Sequence, residues 1–187
     1  FGRYEEAQVL STKILKIPNA KYTFAVAGAA AYFRAINSDN SMFYRFACSY
    51  LDKEKDFAPD ALEIKFNSLI KQNNYEAALT LLDSPQCKEN MKHDRVFLIR
   101  SRIECLLHLD RKEEAVQEAV KFLREIHPDS IEEWDVIIKN ASDPMLIINE
   151  FKDGRNRGPE LAEIELAIIK NQDPMELISA FIQHHQG

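Results

Sequence analysis

The sequence predicts an all-α fold, a solenoid of stacked helix pairs. Three observations carry that prediction. Apolar residues recur at helical i, i+3, i+4 spacing in one segment after another, and a short string repeats along the chain. No segment shows the two-residue alternation of a half-buried strand. Of the 187 residues, 45% are hydrophobic, enough for a continuous core, whereas 5 glycines and 7 prolines are few for a fold rich in tight turns.

The repeated string is Gly2-Arg3-Tyr4-Glu5-Glu6-Ala7, then Asn73-Asn74-Tyr75-Glu76-Ala77-Ala78, then Asp110-Arg111-Lys112-Glu113-Glu114-Ala115. Its aligned alanines, Ala7, Ala78 and Ala115, stand 71 and 37 residues apart. A tetratricopeptide unit is about 34 residues long, so the gaps fit two slightly long units and then one. The unit concealed in the first gap lies between Tyr22 and Lys55. Phe24, Ala27, Gly28 and Tyr32 form one helical face, Asn37-Ser38-Asp39-Asn40 a turn, and Phe43, Phe46, Ala47, Tyr50 and Leu51 a second helix.

Each repeated feature has a physical purpose. A small side chain at Ala7, Ala78, Ala115 or Gly28 lets two helices approach to the short end of the usual 8–10 Å. Tyr4 and Tyr75 stand at the start of the helices so packed. Gly2, Asn73 and Asp110 suit a helix end and reversal. Pro18 and Pro128 fall where the second helix of a unit should stop. One such pair cannot bury its apolar stripe alone, so neighbours must stack into a right-handed superhelix.

The remaining segments follow the same logic. Pro59 opens a helix through Leu62, Phe66, Leu69 and Ile70, and Arg95 to Leu109 forms another. Ser130 reads as an N-cap with Glu133 at the capping-box position. Asp143-Pro144, Pro159 and Asp173-Pro174 each start a later helix. Residues 1–128 are expected to be tetratricopeptide-like repeats and 129–187 to be further pairs continuing the same solenoid. Residue 1 is Phe and opens midway through a repeat, which predicts a piece of a longer array.

The net charge of −6 argues against a general nucleic-acid binder, which needs a basic face. Lys152, Arg155 and Arg157, and more loosely Lys88, Lys92, Arg95, Arg100 and Arg102, read as solvated charges. Cys48, Cys87 and Cys105 are unspaced for metal binding and sit among apolar neighbours, predicting reduced thiols and a cytoplasmic setting. No apolar run reaches the ~18–20 residues that cross a bilayer.

Catalytic and metal motifs are not recognisable. The five histidines, His93, His108, His127, His184 and His185, form no His-Glu-x-x-His pattern. His108 and His127 suit helix ends, and His184-His185 read as the end of the last helix. Carboxylates such as Glu160, Glu163 and Glu165 read as a solvated face. The string Arg155-Asn156-Arg157-Gly158-Pro159-Glu160 fails as an acetyl-CoA loop, because proline removes an amide and Glu160 carries the wrong charge. No catalytic residue, cofactor site or metal site is therefore assigned.

The string Arg157-Gly158-Pro159-Glu160-Leu161-Ala162-Glu163-Ile164-Glu165-Leu166 resembles a segment of the auxiliary-subunit family of the NatB N-terminal acetyltransferase. There a similar Arg-Gly-Pro-x-Leu-Ala-Glu-Leu-Glu string follows the repeat array; Ile164 replaces its leucine. Glu132-Glu133-Trp134 is similar to the acidic-Trp string upstream, with a shorter connection here. Tyr22-Thr23-Phe24, Asn37-Ser38-Asp39-Asn40 and Met42-Phe43 match in order and approximate spacing. The resemblance implies a non-catalytic superhelix that wraps a small acetyltransferase as a heterodimer and is linked to ribosome association. That partner acetylates nascent Met-Asp, Met-Glu, Met-Asn and Met-Gln starts. Arg157, Gly158, Pro159 and Glu163 become the candidate special corner. The alternatives are the NatA-type auxiliary subunit and a generic tetratricopeptide protein-binding scaffold such as a chaperone-tail clamp; no Lys-x-x-x-Asn pattern on first helices favours the clamp.

Overall fold

A computed structural model describes residues 3–16, 22–54, 59–152, 156–170 and 172–185, apart from the side chains of Tyr4, Glu5 and Gln8. Every regular element among them is helical, and the fold is all-α. The chain divides into two compact units, residues 1–95 and 96–187. The helices on either side of Pro128 pack against each other within the second unit.

The first unit holds α1 (Tyr4–Ile14), α2 (Thr23–Ser38), α3 (Met42–Leu51), α4 (Pro59–Ile70), α5 (Tyr75–Asp83) and the short α6 (Pro85–Asn90). Each packs on its successor: α1 on α2, α2 on α3, α3 on α4, α4 on α5 and α5 on α6. The face of α2 turned inward is almost all alanine, with Ala27, Ala31 and Ala35 buried. Gly28 carries the idea furthest. A Cβ there would stand 2.6 Å from Leu51 Cγ, so only glycine admits the leucine of α3 at this distance. Leu51, Leu62 and Leu82 are fully buried in this unit.

Sequence reasoning did not foresee α6. Its start is nonetheless written locally: Ser84 caps it, the hydroxyl accepting from the Cys87 amide at 3.2 Å, and Pro85 occupies the first turn.

The second unit holds α7, which begins on the last residue of the first unit (Arg95–His108), then α8 (Lys112–Glu125), α9 (Ile131–Asn140), α10 (Pro144–Phe151), α11 (Gly158–Ile169) and α12 (Met175–His185). α8 packs on α9, α9 on α11, and α11 on both α10 and α12. Leu106, Leu123, Ile137 and Ile148 form its buried centre. Asp143 caps α10 by accepting from the Leu146 amide at 3.3 Å.

The repeated string folds in the same way in both units. Asn73 and Asp110, each five residues before the aligned alanine, take left-handed backbone at φ 54° and 56°. Asn and Asp tolerate this region better than other non-glycine residues. At the first turn the Asn74 amide bonds the Leu69 carbonyl at 3.0 Å; at the second the Arg111 amide bonds Leu106 at 2.9 Å. Both are six-to-one bonds that close a helix C-terminus. Ala78 and Ala115 are then wholly buried.

Ala7 departs from the expectation, for its side chain is exposed. On α1 the described side chain that reaches the interior is Ser11, one turn further on. Gly2 and Pro18, and the Tyr4 side chain, lie outside the described residues.

Candidate functional site

Trp134 and Gly158, each within a string singled out in the sequence, meet at the start of α11. Gly158 is the first helical residue there and Pro159 the second, where the missing amide of proline costs nothing because first-turn amides lack an intrahelical acceptor. Both are buried. A Cβ on Gly158 would lie 2.5 Å from Trp134 Nε1, 2.7 Å from the Pro128 carbonyl oxygen and 2.8 Å from Asp129 Cα. Two of those atoms are backbone and cannot swing away. Glycine is thus required for α11 to seat on the α8–α9 connection.

Polar groups at this corner are paired across long stretches of chain. Gly158 donates its amide to Asp129 Oδ1 at 2.7 Å, so a residue 29 positions upstream does the work of a cap. Trp134, 2% exposed, donates its indole N–H to the Pro128 carbonyl at 2.9 Å. Its ring meets Phe151 of α10 edge-on at a centroid distance of 5.3 Å. Arg157 is exposed beside the corner, and Glu163, one face further along α11, pairs with Lys152.

Behind the corner lies a buried carboxylate. Glu133 is 2% exposed, and Arg100 of α7 grips it with Nε at 2.9 Å from one oxygen and a terminal nitrogen at 3.2 Å from the other. This fork geometry is the strong form of the ion pair. The same arginine donates to Ser130 Oγ at 3.1 Å and lies over the Phe122 ring. The bond to Glu133 holds the guanidinium above its ordinary pKa. Ser130 does begin α9, but its hydroxyl donates to Glu133 instead of accepting from the helix, so the expected capping box is absent. The buried carboxylate draws the hydroxyl in because each lone pair it leaves unpaired is costly.

Arg100, read from sequence as solvated, is therefore structural. Other members of the loose basic group are also balanced: Arg102 by Glu118 at 3.0 Å, Lys88 by Asp83 at 3.4 Å and Lys92 by Glu89 at 2.7 Å. Arg155 lies outside the described residues.

The predicted packing residues do not form one site. Gly28, Tyr75 and Ala78 belong to the first unit and Ala115 to the second. Tyr75 is half-buried and donates its hydroxyl to Asn73 Oδ1 at 3.2 Å, bracing the turn. In the first unit an open groove of about 680 Å³ runs over α3, α4 and α5, walled by Arg45, Ser49, Gln72, Asn74 and Thr80. The thiols are not activated: burial raises all three, with Cys105 pushed up to about 12, so each stays protonated near neutrality.

A second polar cluster was not foreseen. Glu160 of α11 accepts from His184 Nδ1 at 2.8 Å and from His185 Nε2 at 3.0 Å, both at the end of α12. The separation of 24 and 25 residues hides this grouping from any local motif search. No helix of the described residues is long and apolar enough to cross a membrane.

No protein-family model, curated protein or solved structure matches this chain.

Proposed function

We propose that the chain is a non-catalytic scaffold, part of the auxiliary subunit of a NatB-type N-terminal acetyltransferase. In this reading its helix pairs belong to a tetratricopeptide-like solenoid that wraps and stabilises a small catalytic partner. The partner acetylates nascent chains beginning Met-Asp, Met-Glu, Met-Asn or Met-Gln, with ribosome association and a cytoplasmic setting following from that role.

The observation that carries the reading is the corner at Gly158. Two of the strings on which the resemblance rests, at Trp134 and at Arg157-Gly158-Pro159, are 23 or more positions apart, yet Trp134 and Gly158 are in contact. Such a tie between distant positions is what a shared string must encode if it specifies a fold rather than arises by chance. The small-residue contacts at Gly28, Ala78 and Ala115 support the helix-pair part of the reading.

Co-expression of the full-length protein with a Gcn5-type acetyltransferase tests it. The expected outcome is co-purification of a heterodimer that acetylates peptides with those four starts. A catalytic subunit that purifies alone and is equally active without the scaffold refutes it. Recovery of a NatA-type catalytic subunit instead selects the alternative auxiliary family.

A further inference from the structure

We propose that Glu160, His184 and His185 form a binding site for a borderline transition-metal ion of the zinc class, which staples α12 to α11. The three side chains offer one carboxylate oxygen and two imidazole nitrogens, and these donor atoms all lie within 4.8 Å of one another. Donors around tetrahedral zinc, with bonds of about 2.0–2.1 Å, are about 3.4 Å apart. The two Glu–His distances, 2.8 Å from His184 Nδ1 to Oε1 and 3.0 Å from His185 Nε2 to Oε2, are already inside that figure. Closing all three donors on one ion requires the rings to turn inward from a set that spans up to 4.8 Å.

The donors are held from two sides. Glu160 sits in the first turn of α11, whose start is fixed by the buried Gly158 and Pro159. The His185 side chain is only 13% exposed and its ring packs against Phe181 at 4.8 Å. His184 is more open, at 47%, and lines a cleft of about 330 Å³ through which an ion can enter. Lys152 also faces that cleft, but its charge is balanced by Glu163. Two imidazoles favour zinc, copper or nickel over magnesium or calcium, which require oxygen donors. The metal takes the ring nitrogen of each histidine that faces Glu160, so any N–H is left on the other nitrogen. Three protein ligands leave a fourth position for water.

The staple has a task. α12 contains no fully buried residue, so its hold on α11 rests on half-buried side chains such as Leu177, Ile178 and Phe181 and on this cluster. A bound ion adds a tie where packing is thin.

Calorimetric titration of the protein with zinc chloride in a non-chelating buffer near neutral pH tests the site. One ion per chain is expected, reversed by chelator and not displaced by magnesium. His184→Ala, His185→Ala and Glu160→Gln should each weaken binding by roughly tenfold or more, as losses around metal sites commonly do. Zinc should slow amide hydrogen exchange across α12 in the parent protein and not in His185→Ala. Circular dichroism checks that each variant keeps its helices, and His184→Ala, at the most open of the three positions, perturbs packing least. A parent protein that binds no zinc overturns the proposal without reference to any variant. So does zinc binding of unchanged affinity in all three variants, which assigns the ion to other histidines.

Discussion

The α4–α5 turn of the first unit and the α9–α11 corner of the second both bring helices into close contact, by opposite means. At the turn everything is local: a left-handed Asn73, a six-to-one bond from Asn74 to Leu69, and a buried Ala78 five residues on. At the corner the parts are distant: Asp129 caps a helix 29 residues away, and Arg100 reaches 33 residues to Glu133. The turn recurs in the second unit at Asp110 with different neighbours, Arg111 and Lys112 in place of Asn74 and Tyr75. The corner depends on each member having the right partner, so it should be the more fragile of the two.

The largest effect is expected where a charge loses its partner. Arg100→Ala leaves Glu133 buried with Ser130 but no cation, and removing one member of a buried pair costs about 3–5 kcal/mol. Chemical denaturation of the variant should show a loss near 3 kcal/mol, the low end, because half of the arginine side chain faces solvent and Ser130 still donates. Replacing Arg100 and Glu133 together by Met and Leu should recover much of it. A single variant as stable as the parent would mean that the corner is no more demanding than the turn.

Gly158→Ala comes next. Its Cβ cannot coexist with the Pro128 carbonyl and Asp129 Cα, so α11 must lift from the α8–α9 connection. Overpacking of this kind typically costs 1–3 kcal/mol, and about 2 kcal/mol is expected here. The Trp134 fluorescence reports it directly, since lifting α11 uncovers the indole; an unchanged spectrum and an unchanged denaturation midpoint would refute the tight seat.

The difference between the regions also explains what could be read in advance. Periodicity and caps are local, so Pro59, Pro144 and the Asn73 and Asp110 turns announced their helices in the sequence. Gly158-Pro159 was visible as a helix start and as a family string, but not as a surface pressed on Trp134. The pairing of Arg100 with Glu133 and the meeting of Glu160 with His184 and His185 depend on which helices become neighbours, and no local pattern encodes that. Charges look alike in sequence whether they end in solvent or against a buried partner. Glu133 fitted a capping box by spacing, yet burial made a cation its stronger requirement.

The smallest effect separates the repeats from one another. Ala78→Phe forces a ring into a site with no exposure and should cost roughly 1–3 kcal/mol, with Ala115→Phe similar. Ala7→Phe, at the aligned position on α1, should change stability by less than about 0.5 kcal/mol, because that side chain already faces outward. Parallel urea melts of the three variants decide the matter. Equal losses at all three would mean that α1 packs through Ala7 after all and that the repeat runs unbroken from the first string to the last. A loss confined to Ala78 and Ala115 means that the same letters do different work. An alanine admits a neighbouring helix only where the turn before it aims one at its face.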